Sequence, residues 1–169
     1  MSIDRKPFKL PFRKNGLPQW PCPACGKLTL RINSDSFKFE ESRHSKRHHH
    51  DPNWDPDWIR YVFSCLLSCA NAGCEEKVSC IGTGAVDYDV NFDIEGEPEQ
   101  SYEEFFSPTF FQPHLPIFQC PKNTPKPVRN ALDSSFSLFF SSPASAANQV
   151  RIAMEHLLTT LKVKRFVRV

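Results

Sequence analysis

Two short cysteine motifs, Cys22-Pro-Ala-Cys25-Gly and Cys69-Ala-Asn-Ala-Gly-Cys74, constrain this chain more than any other feature. Two intervening residues let Cys22 and Cys25 turn both thiolates toward one ion, and the glycine that follows lets backbone amides approach the sulfurs. Cys69 and Cys74 supply a partner pair whose four-residue spacing contains an Asn and a Gly suited to a tight turn. The 43 residues between the pairs exceed the gap of a minimal ribbon, and a polar stretch within them reads as an insertion at a loop tip. Soft sulfur ligands favour zinc, and four thiolates close a tetrahedral shell without leaving a place for substrate water. Cys22, Cys25, Cys69 and Cys74 are therefore expected to hold a structural Zn2+.

The other three cysteines have different surroundings. Cys65 falls on the apolar face of a strand and Cys80 follows Val78 at strand spacing. Both compete for a place in the second pair, and both read better as packed core thiols. Cys120, just before Pro121, reads as a buried thiol. No stretch has the apolar length that crosses a bilayer, and "MSIDRKPFKLPFRKNG" lacks the continuous apolar run of a secretory signal. The expectation is a cytoplasmic protein with no membrane contact, where thiols bind metal or pack rather than form disulfides.

Hydropathy patterning suggests two small units. Leu28, Leu30 and Ile32 alternate with polar residues, Phe37 and Phe39 follow as a second strand, and Ile59, Tyr61, Phe63, Cys65 and Leu67 share one face of a third. Val86, Tyr88, Val90 and Phe92 alternate with Asp87, Asp89, Asn91 and Asp93. Residues 96–126 hold six of the 15 prolines and many phenylalanines, the composition of an extended segment. The period then becomes helical: Val128, Ala131, Leu132, Phe136 and Phe139 mark one helix. Ser142 and Pro143 are a cap and first position for another, whose apolar stripe is Val150, Ala153, Met154, Leu157, Leu158 and Leu161.

The expected organisation is an N-terminal arm over 1–17 and a zinc-ribbon-like β domain over 18–95 with a His-rich loop insertion at 41–58. A Pro/Phe-rich connector over 96–126 and a helical hairpin over 127–169 follow. The predicted class is α+β: a small antiparallel ribbon unit, an extended connector and a C-terminal α-helical hairpin. A hairpin cannot bury both apolar faces alone, so the β unit, a second copy or further helices must complete it.

Net charge is only +2, so nucleic-acid affinity would have to come from a local patch. His44, His48, His49 and His50 lie among Arg43, Lys46 and Arg47 and read as solvated rather than ligating. Trp54 and Trp58 beside them have two readings, as base-stacking platforms or as rings covering a small core; the second is favoured.

The strings "WPCPACG", "LSCANAGC", "SPTFFQPHLPIFQCPKNTPKPV" and "AANQVRIAMEHLLTTL" together resemble a bacterial family, domain-of-unknown-function family forty-one forty-five, from about Trp20 to Leu161. That resemblance implies a zinc ribbon joined to a helical domain of the HEPN superfamily, whose catalytic members are metal-independent ribonucleases of defence systems acting as homodimers. By the same resemblance the helices are a partial HEPN-like bundle lacking its C-terminal members. Arg151-Ile-Ala-Met-Glu-His156 fits the HEPN Arg/His spacing, with His156 as proton-transfer group and Arg151 as stabiliser of phosphorane charge. Positions five apart lie about 140° apart on a regular helix, however, and Arg151 is equally suited to an i, i+4 ion pair with Glu155. The resulting expectation is a zinc-binding accessory or RNA/protein-binding protein of a bacterial defence or stress system. The alternative is a HEPN-type endoribonuclease using Arg151 and His156. Expected partners are a second copy or another protein at the C-terminal helices, with RNA as a further candidate.

Overall fold

The computed structural model describes residues 8, 11–14, 18–92 and 98–163, without the side chains of 89–92 and 98–100. Most of the expected N-terminal arm, Asp93 of the fourth expected strand and the basic ending 164–169 lie outside the described residues. In chain order the elements are β1 (Phe12–Arg13), β2 (Leu30–Ile32), β3 (Lys38–Glu41), α1 (Arg43–His48), β4 (Arg60–Cys69), β5 (Lys77–Phe92), β6 (Pro98–Gln112), α2 (Lys126–Leu138) and α3 (Pro143–Thr160). The strands form one six-stranded antiparallel sheet in the order β1-β6-β5-β4-β2, with β3 also paired to β4.

β4 is the strand around which the sheet is organised. Its alternation is unbroken, so Phe63, Cys65, Leu67 and Cys69 are buried while Val62, Ser64 and Leu66 face outward. One edge of β4 pairs with β5 from Arg60↔Ala85 to Ser68↔Lys77. The other edge is shared, with β2 opposite residues 67–69 and β3 opposite residues 61–64.

The sheet curls strongly. β3 and β6 are three strand steps apart, about 14 Å in a flat sheet, yet the Phe39 and Phe106 rings are 5.2 Å apart. Phe12 on β1 and Phe63 on β4 likewise meet at 6.0 Å. Glycines in the intervening strand make room for this. A Cβ on Gly82 would collide with the Ser107 carbonyl oxygen and lie 2.6 Å from the Phe63 ring; one on Gly84 would lie 2.9 Å from the Phe106 ring. The aromatic rings thus occupy the space that β5 side chains would fill. Phe12, Trp20, Phe37, Phe63, Phe106 and Phe111 make up the aromatic part of the core that results.

These observations overturn the expected architecture of a separate ribbon, an extended connector and a HEPN-like hairpin. Residues 98–112, expected within the connector, are β6, one of the two longest strands, hydrogen-bonded to β5 from Phe92↔Pro98 to Ser79↔Gln112. Its prolines are tolerated because a bulge displaces the register at Pro108, and because β1 covers only Phe105 and Phe106 on its other edge. No independent N-terminal ribbon exists, because β2, β3 and β4 belong to the same sheet as β5 and β6. The stretch 41–58 is not all loop: α1 forms there, capped by the Ser42 hydroxyl accepting from the Ser45 amide, and Pro56–Trp58 make a 3-10 turn.

α2 and α3 follow the sheet and pack on each other through Val128, Ala131, Leu132, Phe136 and Ala153. The buried Ser135 hydroxyl donates to the Ala146 carbonyl at 2.9 Å, tying the two helices together. Phe140, just after α2, packs against the sheet core, its ring 4.8 Å from that of Phe111.

Candidate metal centre

The four paired cysteines meet at one end of the sheet. β4 ends in Cys69, and β2 pairs beside it with Leu30 opposite Cys69. The Leu30 amide in turn donates to the Trp20 carbonyl, which brings the Cys22–Cys25 turn alongside the end of β4. Trp20 is fully buried and packs edge-on against Phe12 and Phe111, so the approach to the first turn is anchored in the core.

The two cysteine turns have the same local construction. In the first, the Gly26 amide donates to the Cys22 carbonyl and Gly26 adopts φ +70°. In the second, the Cys74 and Glu75 amides both donate to the Asn71 carbonyl and Glu75 adopts φ 52°. The residue after each second cysteine is thus left-handed, a conformation natural for Gly26 and strained for Glu75. It turns the next amide back onto sulfur: Lys27 donates to Cys25, and Glu76 to Cys74.

The side chains converge. Cys22 Sγ lies 3.7 Å from Cys74 Sγ, Cys25 Sγ lies 3.8 Å from Cys69 Sγ, and all four sulfurs lie within 4.8 Å of one another. All four are free thiols, well beyond the ~2.05 Å of a disulfide. The Lys27 amide lowers the Cys25 thiol to about 6, whereas burial pushes Cys22 up to about 12. The Thr29 hydroxyl stands 3.1 Å from Cys69 Sγ, placed to donate to a thiolate there. Such an arrangement of sulfurs is suited to hold one tetrahedral metal ion.

The remaining candidates lie elsewhere. Cys65 and Cys80 face each other across β4 and β5 inside the core; their mutual hydrogen bond lowers Cys65 and, with burial, raises Cys80. Cys120 is half-buried against the α2–α3 cluster. His49 Nε2 pairs with Glu41 at 2.8 Å, and His48 Nδ1 bonds the His44 carbonyl. Among the described residues only the cysteine quartet forms a potential metal cluster. The Trp54 ring lies tilted against that of His49 at 4.7 Å, while Trp58 is 39% exposed. Arg151 is bound to Glu155 at 2.7 Å and to Asn148, whereas His156 lines an open groove with Lys126, Asn130 and Gln149 that does not include Arg151.

Fold and site together define an α+β protein with a four-thiol cluster at the end of a curled antiparallel sheet. Residues 10–111 match the family described as Domain of unknown function (DUF8608), and the chain belongs to that family. No curated protein and no solved structure matches it. The family match replaces the resemblance to family forty-one forty-five; neither a zinc ribbon nor a HEPN domain is indicated. The matched region contains β1 to β5, nearly all of β6 and all four clustered cysteines, and stops before α2 and α3. Among the described residues no helix is long and apolar enough to cross a membrane.

Sequence reasoning did not find Thr29, which it placed only as an outward strand residue, nor the left-handed Glu75. Thr29 offered a signal in standing immediately before the first residue of the strand that abuts Cys69. Glu75 offered none, since left-handed backbone there is unfavourable for a glutamate.

Proposed function

We propose that Cys22, Cys25, Cys69 and Cys74 bind one structural zinc ion, and that the protein is an accessory or binding protein that works through surface contacts rather than catalysis. The observation that carries this reading is the pair of sulfur separations, 3.7 and 3.8 Å. Four sulfurs each ~2.3 Å from a tetrahedral zinc stand about 3.8 Å apart. An all-thiolate set selects a soft or borderline cation over magnesium or calcium. Its closed shell leaves no position for a reacting water, so the ion supplies architecture by fastening the segment around Trp20 to the end of β4. A reducing cytoplasmic setting keeps the four thiols available.

Metal analysis of protein purified without chelator tests this directly. About one zinc per chain is expected, lost together with part of the folding stability in Cys22→Ser and Cys74→Ser. A metal-free protein of undiminished stability would overturn it.

One observation favours single-stranded RNA as the ligand in a second reading. Trp58 is exposed and its ring lies 6.1 Å from His48, on the helix that carries the exposed Arg43, Lys46 and Arg47. Oligonucleotide titration at low salt, followed by tryptophan fluorescence, should then show quenching that Trp58→Ala abolishes. The nuclease alternative with Arg151 and His156 loses the resemblance that suggested it, and RNA cleavage in EDTA by the purified protein is the measurement that tests it.

A further inference from the structure

α3 buries only a narrow strip of itself. Ala146 and Ala153 are the buried residues, with Ile152 partly packed beside them against α2. At 100° per residue, Ala147, Val150, Met154, Leu157, Leu158 and Leu161 form an apolar stripe on the adjoining face, and all six are exposed. Met154 is 59% and Leu161 64% exposed. A helix stripe about 100° wide that faces water is a surface awaiting a partner.

We propose that this partner is a second copy of the chain, with two α3 helices packed antiparallel about a two-fold axis through Met154. The inference goes beyond the zinc reading and does not depend on it. Self-complementarity of the stripe carries it. Val150 precedes Met154 by four positions and Leu157 follows it by three on the same flank, so each meets the other's equivalent across the axis. Ala147 lies seven positions before Met154 and Leu161 seven after, which sets the smallest residue against a large one, as close helix packing requires. On the opposite flank, Leu158 lies across from the aliphatic stem of the second copy's Arg151, and the Arg151–Glu155 ion pair forms a polar rim. The stripe exposes roughly 500 Å² per copy, so pairing buries on the order of 1,000 Å², enough for a specific contact of micromolar strength.

Sedimentation equilibrium of the full, metal-loaded chain across the micromolar range tests the inference, with metal content measured on the same samples. The expected mass rises toward twice the 19.4 kDa of one chain. Met154→Glu, which sets two carboxylates against each other on the axis, should raise the dissociation constant on the order of 100-fold. Its far-UV spectrum and metal content should be unchanged, because Met154 packs on nothing within the chain's core. Leu161→Glu should act likewise and Thr159→Lys, on the far face, should not. A protein that stays monomeric throughout would overturn the proposal, even if another protein's helix then proved to occupy the stripe. So would a dimer that Met154→Glu leaves intact.

Discussion

Cys25 Sγ and Cys69 Sγ stand 3.8 Å apart although 43 residues separate them in the chain. Backbone pairing brings them there: Leu30 opposes Cys69 in the sheet, and Trp20 opposes Leu30. Strand pairing therefore converges the four thiols, and an ion held among them would fasten the entry of the chain to the end of β4. Closing so long a loop by a strong link removes entropy from the unfolded ensemble, and metal bound only in the native state adds its binding free energy to folding.

Loss of one ligand should be felt as a loss of the whole clasp. Cys69→Ser is expected to reduce zinc below a stoichiometric amount and to lower the thermal midpoint by about 10 °C, corresponding to a few kcal/mol for a chain of this size. Cys120→Ser, which lies against the helices, should leave zinc content unchanged. Calorimetry with parallel metal analysis checks both, and an unaltered midpoint in Cys69→Ser would exclude the clasp.

Zinc uptake should release protons near neutral pH. In the metal-free cluster burial holds Cys22 up at about 12 and Cys74 is also raised, so both carry protons that a metal must displace. Cys25, lowered to about 6 by the Lys27 amide, is already a thiolate at pH 7.5 and contributes little. The sign follows: apparent affinity falls as pH drops, with a further loss below pH 6 as Cys25 becomes protonated. Titration calorimetry in buffers of different ionisation enthalpy measures the release, and binding without proton release would contradict protonated thiols at Cys22 and Cys74.

Gly82 should tolerate no side chain. A methyl group there would meet the Ser107 carbonyl and the Phe63 ring, neither of which can retreat without opening the curl. Gly82→Ala is expected to cost about 1–3 kcal/mol. Urea unfolding of the metal-loaded protein gives the value. Gly73, around which a Cβ finds open space, is the control and should change little when replaced by Ala.

Glu75 offers the opposite effect. Its side chain is exposed and its backbone is left-handed at φ 52°, matching Gly26 in the first turn. Glu75→Gly should stabilise the protein by about 0.5–1 kcal/mol, relief of strain outweighing the extra freedom of the unfolded chain. The same unfolding experiment decides the sign.

The strand with an unbroken period was the one most legible in the sequence. Ile59 to Cys69 alternates without a break, and β4 forms there with Phe63, Cys65, Leu67 and Cys69 buried. β6 was hidden because its two core residues, Phe106 and Phe111, are five apart. The bulge at Pro108 changes which parity faces inward, so no constant alternation runs through the strand. α1 was hidden for another reason: Arg43–His48 has no apolar periodicity, and a side-chain cap from Ser42 supports the helix. The α3 stripe was readable as a helix face, but its exposure was not, because periodicity reports which residues share a face and not what covers it. For the site, cysteine spacing pointed to the quartet that the fold assembles, whereas its setting in a larger sheet depended on β5 and β6. Short sulfur turns recur in unrelated folds, which is why a resemblance built largely on them led to the wrong family.

Zinc K-edge X-ray absorption on the purified protein tests the central claim, a closed four-thiolate zinc site, most directly. Four sulfur scatterers at about 2.3 Å are expected, with no nitrogen or oxygen in the coordination shell. A shell containing imidazole or water, or protein without bound zinc, would contradict it.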